Sequence, residues 1–421
     1  MSSLPYLHEW RGLFTHWRKD LLAGISVGIV ALPLALGFAI TTGAPASAGL
    51  ATAIVAGFLA AFFGGSNYQV SGPTGAMTVV LVPIVAKYGV QSLVILGLLA
   101  GALVIVMALL RLGRWIDLVP WEVMEGFTLG IAVIIALQQI PLIFQVSKVG
   151  GTHTLSVAFE TMKSAFDQPL KWGSILIALL TLAIKRGWPY LKRVLGIKLH
   201  IPASMVAIIV STALVEATHL SITRIGELPR TLPLTKDFSL PSISSTSLII
   251  AAIEIALLAA IESLLSARVA DGMAHKEIDH DQPRHDPNRE LFGQGLATMA
   301  SVCCGGLPAT GAIARTSVNV RSGARTRLAA MIHALFLLLV VFVLAPIVSI
   351  IPTAALAGVL LGTSLRIANP RSVAEALRTT SVMRTTYVIT AVSVIAIDLI
   401  WGIAIGLLAH QLLRKITSKQ S

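Results

Sequence analysis

Twice in this chain a proline precedes a Thr-Gly-Ala run inside an otherwise apolar stretch: Pro73-Thr74-Gly75-Ala76, and Pro308-Ala309-Thr310-Gly311-Ala312. Proline removes a backbone donor and glycine weakens a helix, so each copy reads as the start of a broken or half-length span. Matching breaks in the two halves of a membrane protein point to the substrate site of a secondary transporter. The N–H groups freed at two helix starts, and the positive ends of two helix dipoles, can converge on one point there. Such a point suits an anion.

Few ionisable residues share the apolar stretches, as each one left facing lipid costs about 3 kcal/mol on insertion scales. Glu254 and Glu262 lie in one such stretch, and Arg315 follows the second Thr-Gly-Ala run. Glu262 and Ser266 are four residues apart and so share a helical face. Small neighbours around Glu262 allow close helix packing. A carboxylate there can bind a cation, carry a proton or hold Arg315; a buried Glu–Arg pair serving architecture alone is the plainer reading. Glu254 stands about 80° around the helix from Glu262, at ~100° per residue, and reads as interfacial or paired. Asp398 and Glu122 read as helix-end residues.

The elements that must position these groups follow from composition. Of 421 residues, 55% are hydrophobic and 12% charged, about half the usual globular share. Apolar segments follow one another near 21–42, 48–64, 74–88, 91–110, 120–144, 172–184, 200–217, 247–267, 291–304, 310–320, 328–347, 352–367, 385–397 and 399–413. Most can cross an apolar layer of roughly 30 Å, and those after the two breaks are short, as half-helices should be. The fold class expected is an all-α polytopic membrane protein with fourteen transmembrane elements. Polar stretches near 145–171 and 218–246 read as external loops, the second running extended because of Pro229, Pro233 and Pro241.

The net charge of +12 is a topology signal rather than a nucleic-acid footprint. With both termini on one side, Lys87, Lys148, Lys163, Lys171, Arg224, Arg230 and Lys236 lie opposite, and Arg315 falls inside a span. The remaining 24 of the 32 Lys and Arg residues lie on the side of the termini. That bias makes both termini cytoplasmic. No cleavable signal is visible, and Trp10 and Trp17 beside basic residues suggest an interfacial N-terminus over 1–20. Adjacent Cys303 and Cys304 read as small packing residues. The Asp- and His-rich segment 271–290 matches no strong metal-ligand spacing and reads as a solvated loop ending in a helix cap. No metal, cofactor or nucleic acid is expected. His-Glu-x-x-His, Gly-x-Ser-x-Gly and Walker-type patterns are absent, so an enzyme is not expected.

Four runs carry a family resemblance: Gly72-Pro73-Thr74-Gly75-Ala76-Met77-Thr78, the stretch from Ala260 through Glu262 and Ser266 to Gly272, the segment Asn288-Arg289-Glu290-Leu291-Phe292-Gly293-Gln294-Gly295, and Thr310-Gly311-Ala312-Ile313-Ala314-Arg315-Thr316. In this order they resemble the SulP family of anion transporters, over residues 15–412. The resemblance implies a seven-plus-seven inverted repeat shared with uracil permeases. A core (about 21–110 and 247–347) would move against a gate (about 120–217 and 352–413). It implies an anion site at Thr74, Gly75, Ala76, Ala309, Thr310, Gly311 and Ala312, with Arg315 supplying positive potential. Glu262 would take the family's coupling position, with Ser266 beside it. Sodium-coupled bicarbonate members resemble this chain but carry aspartate and threonine where it has Glu262 and Ser266, which favours protons. Members usually end in a cytoplasmic STAS-type domain, whereas 414–421 is a short tail.

The reading is a proton-coupled transporter of sulfate, bicarbonate or dicarboxylate-class anions, working by alternating access as a homodimer in the inner membrane. A passive anion channel or exchanger, a sodium-coupled bicarbonate symporter and a nucleobase permease on the same fold are the alternatives.

Overall fold

The computed structural model describes residues 13–114, 119–147, 149, 154–196, 201–228, 245–277 and 284–418. Trp10, the prolines at 229, 233 and 241, and Asp279, His280 and Asp281 lie outside them. Apolar runs become helices, even across Pro33, Pro83, Pro189 and Pro346, whereas the two stretches around Thr-Gly-Ala stay unwound. The first half holds α1 (Leu13–Thr42), α2 (Ala46–Phe63), α3 (Gly75–Tyr88), α4 (Ser92–Leu109), α5 (Trp121–Leu137), α6 (Ile140–Phe144), α7 (Thr154–Phe166), α8 (Trp172–Val194) and α9 (Ala203–Thr218). The second half holds α10 (Ser245–Glu277), α11 (Pro287–Cys303), α12 (Ile313–Arg321), α13 (Leu328–Ser349), α14 (Thr353–Ile367), α15 (Pro370–Leu377), α16 (Ser381–Ala396) and α17 (Leu399–Ser418).

Eight described helices are long and apolar enough to cross a membrane, and α3, α9 and α16 are shorter apolar helices. The count of fourteen is therefore not reached by length and hydropathy. The difference is physical: α11 and α14 are lined by other helices over most of their surface and carry polar residues that lipid would reject. The half-helices keep their expected shortness, with 14 residues in α3 and nine in α12. Several elements run longer than the hydropathy pattern, among them α8 to Val194 and α10 to Glu277, because their basic or mixed ends continue the helix past the apolar layer. The segment 145–171, read as a loop, contains α7. Val157, Ala158, Thr161 and Ala165 give it one buried stripe. In the segment 218–246, the chain from Arg224 to Gly226 pairs with that from Ser349 to Pro352, and the stretch holding the three prolines lies outside the described residues.

The helices pack as two sets. In one, α11 lies against α4 and α2, α13 against α1, and α10 against α4 and α12. In the other, α8 lies against α14 and α9, and α16 against α5 and α17. The α4–α11 crossing is a backbone approach. A Cβ on Gly101 would stand 2.8 Å from the Gly295 carbonyl oxygen, and one on Gly295 2.7 Å from that of Gly101.

Between α2 and α3 the chain is unwound inside the first set, and side chains of neighbouring helices partner much of its backbone. Arg327 Nη1 donates to the carbonyls of Ala61, Phe62 and Gly64 at the end of α2, and Arg289 Nε also donates to Gly64. Glu290 accepts from the N–H groups of Gly65 and Ser66 and from Gln69 Nε2. Asn319 Nδ2 donates to the Tyr68 carbonyl, and Val70 N donates to Thr316 Oγ1. Ser71–Gly72 then pairs antiparallel with Thr310–Gly311, Ser71 opposite Gly311 and Gly72 opposite Thr310. The second break is held in its turn by a π-helical turn in α2, where Thr52 Oγ1 accepts from Leu307 N at 2.7 Å.

At the far end of α10, Asp271 Oδ2 lies 2.6 Å from His285 Nδ1, and Asp286 caps α11 by accepting from the N–H groups of Asn288 and Arg289. Burial pulls the His285 pKa down, but Asp271, with smaller help from Glu290 and Asp286, outweighs it, so the net shift is upward.

Two outcomes follow. Thr316→Val leaves the buried Val70 N–H without an acceptor and lowers stability by about 1–3 kcal/mol, read from denaturation of the detergent-purified protein. A histidine with a raised folded pKa stabilises fully below its ordinary value near 6.5 and loses that contribution as pH rises through the folded value. The melting temperature therefore falls as pH rises from that value, and His285→Gln flattens the dependence.

Candidate functional site

The two unwound segments meet at the starts of α3 and α12. Thr74 caps α3, its extended backbone turning into the helix while its Oγ1 accepts from Met77 N at 3.3 Å. α12 begins after Ala312 with no side-chain cap. The first-turn amides of both helices lack intrahelical acceptors and carry the positive ends of the two dipoles. Both starts face a cavity of about 440 Å³ whose wall includes Thr74, Gly75, Ala76, Glu262, Ala312 and Arg315. Apolar side chains close it from α5: Phe127, Ile131 and Ile135. Gly75 admits Ile135 against the first turn of α3, where a Cβ would collide with it.

Glu262, near the middle of α10, joins the two breaks. Thr74 Oγ1 donates to its Oε2 at 2.8 Å, and Thr310 Oγ1 approaches the same oxygen at 2.6 Å. The two hydroxyl oxygens are 3.0 Å apart. Three oxygens thus form a closed triangle. With Glu262 ionised, two hydroxyl protons serve three contacts. A proton on Oε2 supplies the third, and the ring of donors closes.

Arg315 does not pair with Glu262. Its Nη2 donates to the Pro73 carbonyl, and its Nη1 packs over Gly72 in the volume a Cβ would need, with no hydrogen-bond partner. The guanidinium therefore holds open the first break from the start of the second.

The other candidate residues sit behind the cavity wall. Ala309 is fully buried among Ala56, Ala60 and Ala297, and its carbonyl accepts from Thr298 Oγ1. Gly311 N donates to Ser263 Oγ at 2.9 Å, and Thr310 reaches the site through Glu262 and Thr74. Ser266 shares a helical face with Glu262, but its Oγ donates to Thr316 Oγ1 at 3.1 Å and joins the scaffold. Glu254 is half-buried, Asp398 caps α17 by accepting from Ile400 N, and Glu122 stands in the first turn of α5.

The cavity also takes in residues that the sequence reading passed over: Arg321 at the end of α12, with Thr363 and Arg366 on α14 and Asn369 beyond it. The arginines were legible only as topology charges. Thr363 and Arg366 are three apart, and that shared helical face was the available signal. Together the wall offers helix-start amides, hydroxyls and guanidinium groups against one carboxylate, a donor-rich surface matched to an oxyanion.

The sulfate permease family model matches residues 17–393. YvdB of Bacillus subtilis, provisionally named a sulfate transporter, is 37% identical over 320 residues, covering 72% of this chain and 56% of that protein. The bicarbonate transporter BicA of a Picosynechococcus strain is 32% identical over 324 residues, covering 73% of this chain and 54% of BicA. The chain thus spans about half the length of these relatives. The solved transmembrane domain of a cyanobacterial bicarbonate transporter BicA superposes with a TM-score of 0.81 at 28% identity, covering 94% of this chain and 98% of that one. With these helices, these breaks and that match, the chain is an integral membrane protein and belongs to the sulfate permease family.

Proposed function

We propose that this chain is the transporting domain of a proton-coupled carrier for small oxyanions of the sulfate or bicarbonate class. The observation that carries the reading is the contact of Glu262 Oε2 with a threonine from each helix break, beside a cavity lined by both helix starts and Arg315. The anion binds at the amides of Gly75, Ala76 and the first turn of α12, with Arg315 adding positive potential. Glu262 carries the proton. Its neutral form closes the oxygen triangle and leaves the positive field of the site to the anion, so proton and anion favour each other's binding, reciprocally by linkage.

The oxygens of the triangle lie at 2.6, 2.8 and 3.0 Å, hydrogen-bond separations that a proton on Glu262 would complete.

In this reading α1–α4 with α10–α13 form the moving core and α5–α9 with α14–α17 the gate. The chain works as a homodimer in the inner membrane with both termini cytoplasmic. Arg321 and Arg366 then lie toward the cytoplasm, and the described cavity is the inward-open one. At the opposite end of α3, a smaller hollow of about 210 Å³, lined by Thr41, Val85, Gln138 and Thr161, shares no wall with it.

Two measurements test this. In proteoliposomes supplied with labelled sulfate or bicarbonate, Glu262→Gln keeps anion-for-anion exchange and loses accumulation driven by an inward pH gradient. Continued accumulation would remove Glu262 from coupling, and sodium dependence of the wild type would replace the proton. In cells, cysteines placed at the exposed positions Glu160 and Arg378 report orientation. The first reacts with an impermeant reagent from outside and the second does not; the reverse pattern inverts the topology.

A further inference from the structure

The central cavity does not end at Arg366. Leu34, Val318, Thr363, Arg366 and Asn369 also line a second hollow of about 630 Å³, which runs out between α1, α8 and the end of α14. Lys185, Arg186 and Lys192 of α8 face it together with Arg366, and no carboxylate lies on its wall.

Lys185 is fitted to this place. Its stem crosses α14 at Gly362, where a Cβ would stand 2.8 Å from Lys185 Cδ. Its Nζ donates to the Val359 carbonyl at 2.5 Å and to Thr363 Oγ1 at 2.6 Å. Both acceptors are neutral, and an ammonium group has three donors, so one remains. Thr363, which takes one of these bonds, lines both hollows, and Arg366 follows one turn later on the same face. A half-buried lysine normally finds a carboxylate. An apolar side chain would join α8 to α14 without the desolvation penalty of a charge. Cations gathered around a hollow with no carboxylate on its wall lack a counter-charge there, and a mobile anion completes the set.

We infer that Lys185, Thr363 and Arg366 form a second station for a small oxyanion, occupied on the way between solution and the helix-start site. The inference rests on the anion-transport reading. The shared wall makes the transported anion the occupant, since anything bound at Thr363 borders the central cavity directly. Concentrating anions at a pore mouth by fixed charge raises capture rates by ~10- to 1000-fold.

Equilibrium binding of labelled sulfate, and separately of labelled bicarbonate, to the purified full chain tests it. The wild type binds two anions per chain. Lys185→Met removes one, Lys185→Arg retains it, and Arg315→Gln removes the other. In uptake at low ionic strength, Lys185→Met lowers kcat/KM about tenfold, and the deficit closes in concentrated salt of an untransported anion. A merely structural lysine would shift the melting temperature while leaving the stoichiometry and the salt dependence unchanged, and that result overturns the station. A single site in the wild type that Lys185→Met leaves intact overturns it too. Displacement of the Lys185-dependent anion by phosphatidylglycerol would assign the hollow to a lipid phosphate instead. If the wild type binds and transports neither anion, the transport reading itself falls.

Discussion

Two stretches of backbone leave the helical state inside a membrane protein, where no bulk water can satisfy their polar groups, and the rest of the structure depends on how those groups are paired. The solution is mutual. Ser71–Gly72 and Thr310–Gly311 hydrogen-bond to each other as a two-residue ladder, and Ala312 N donates to the Val70 carbonyl beside it. Neither break is viable alone, because each supplies the other's missing partners. Side chains finish the accounting from outside: Arg327 and Glu290 before the first break, Thr52 before the second, and Arg315 across the gap to Pro73. Residues that look like surface charges in the sequence are thus the means by which a non-helical segment is tolerated in the interior.

The same constraint creates the site. Pairing the breaks brings the starts of α3 and α12 side by side, so two sets of unpaired amides open onto one cavity. It also brings Thr74 and Thr310 to 3.0 Å from each other, far apart in sequence but adjacent in the ladder region. Glu262 then meets both hydroxyls with one oxygen. A carboxylate at this point senses both helix starts at once, which a residue beside a single helix end would not do.

Much of this was legible in the residues. Proline followed closely by Thr-Gly-Ala marks the breaks, while the isolated Pro33, Pro83, Pro189 and Pro346 stand inside helices, and Glu262 stands out because a carboxylate in an apolar run needs a partner. What was not legible turns on side-chain direction. Glu262 and Arg315 look like an ion pair, yet the arginine is claimed by the Pro73 carbonyl and the glutamate by two hydroxyls. Ser266 sits on the right helical face but bonds Thr316, since a face spans several possible neighbours. Helix α7 reads as a loop in the sequence because its buried stripe is made of small residues with little hydrophobic signal. Lys185 and Arg366 counted only as topology charges, since nothing in a single helix says that another will pass at Gly362.

The distribution of polar contacts bears on how such a site moves. The bonds that fix it run among α2, α3, α10, α11 and α12, so the two helix starts, Glu262 and Arg315 form one hydrogen-bonded body. What faces that body from α5 is Phe127, Ile131 and Ile135, with Ile135 seated against Gly75. Apolar contacts are non-directional and can be exchanged for others of similar area, whereas breaking a buried hydrogen bond leaves an unsatisfied group worth about 1–3 kcal/mol. A displacement that keeps the polar body intact and slides it past the α5 wall is therefore the path of least resistance. An anion held by helix-start amides would travel with that body. In the proposed cycle the cationic side chains of α8 and α14, rooted in the other set, would be left behind, and the hand-over between them would fall where the two sets part.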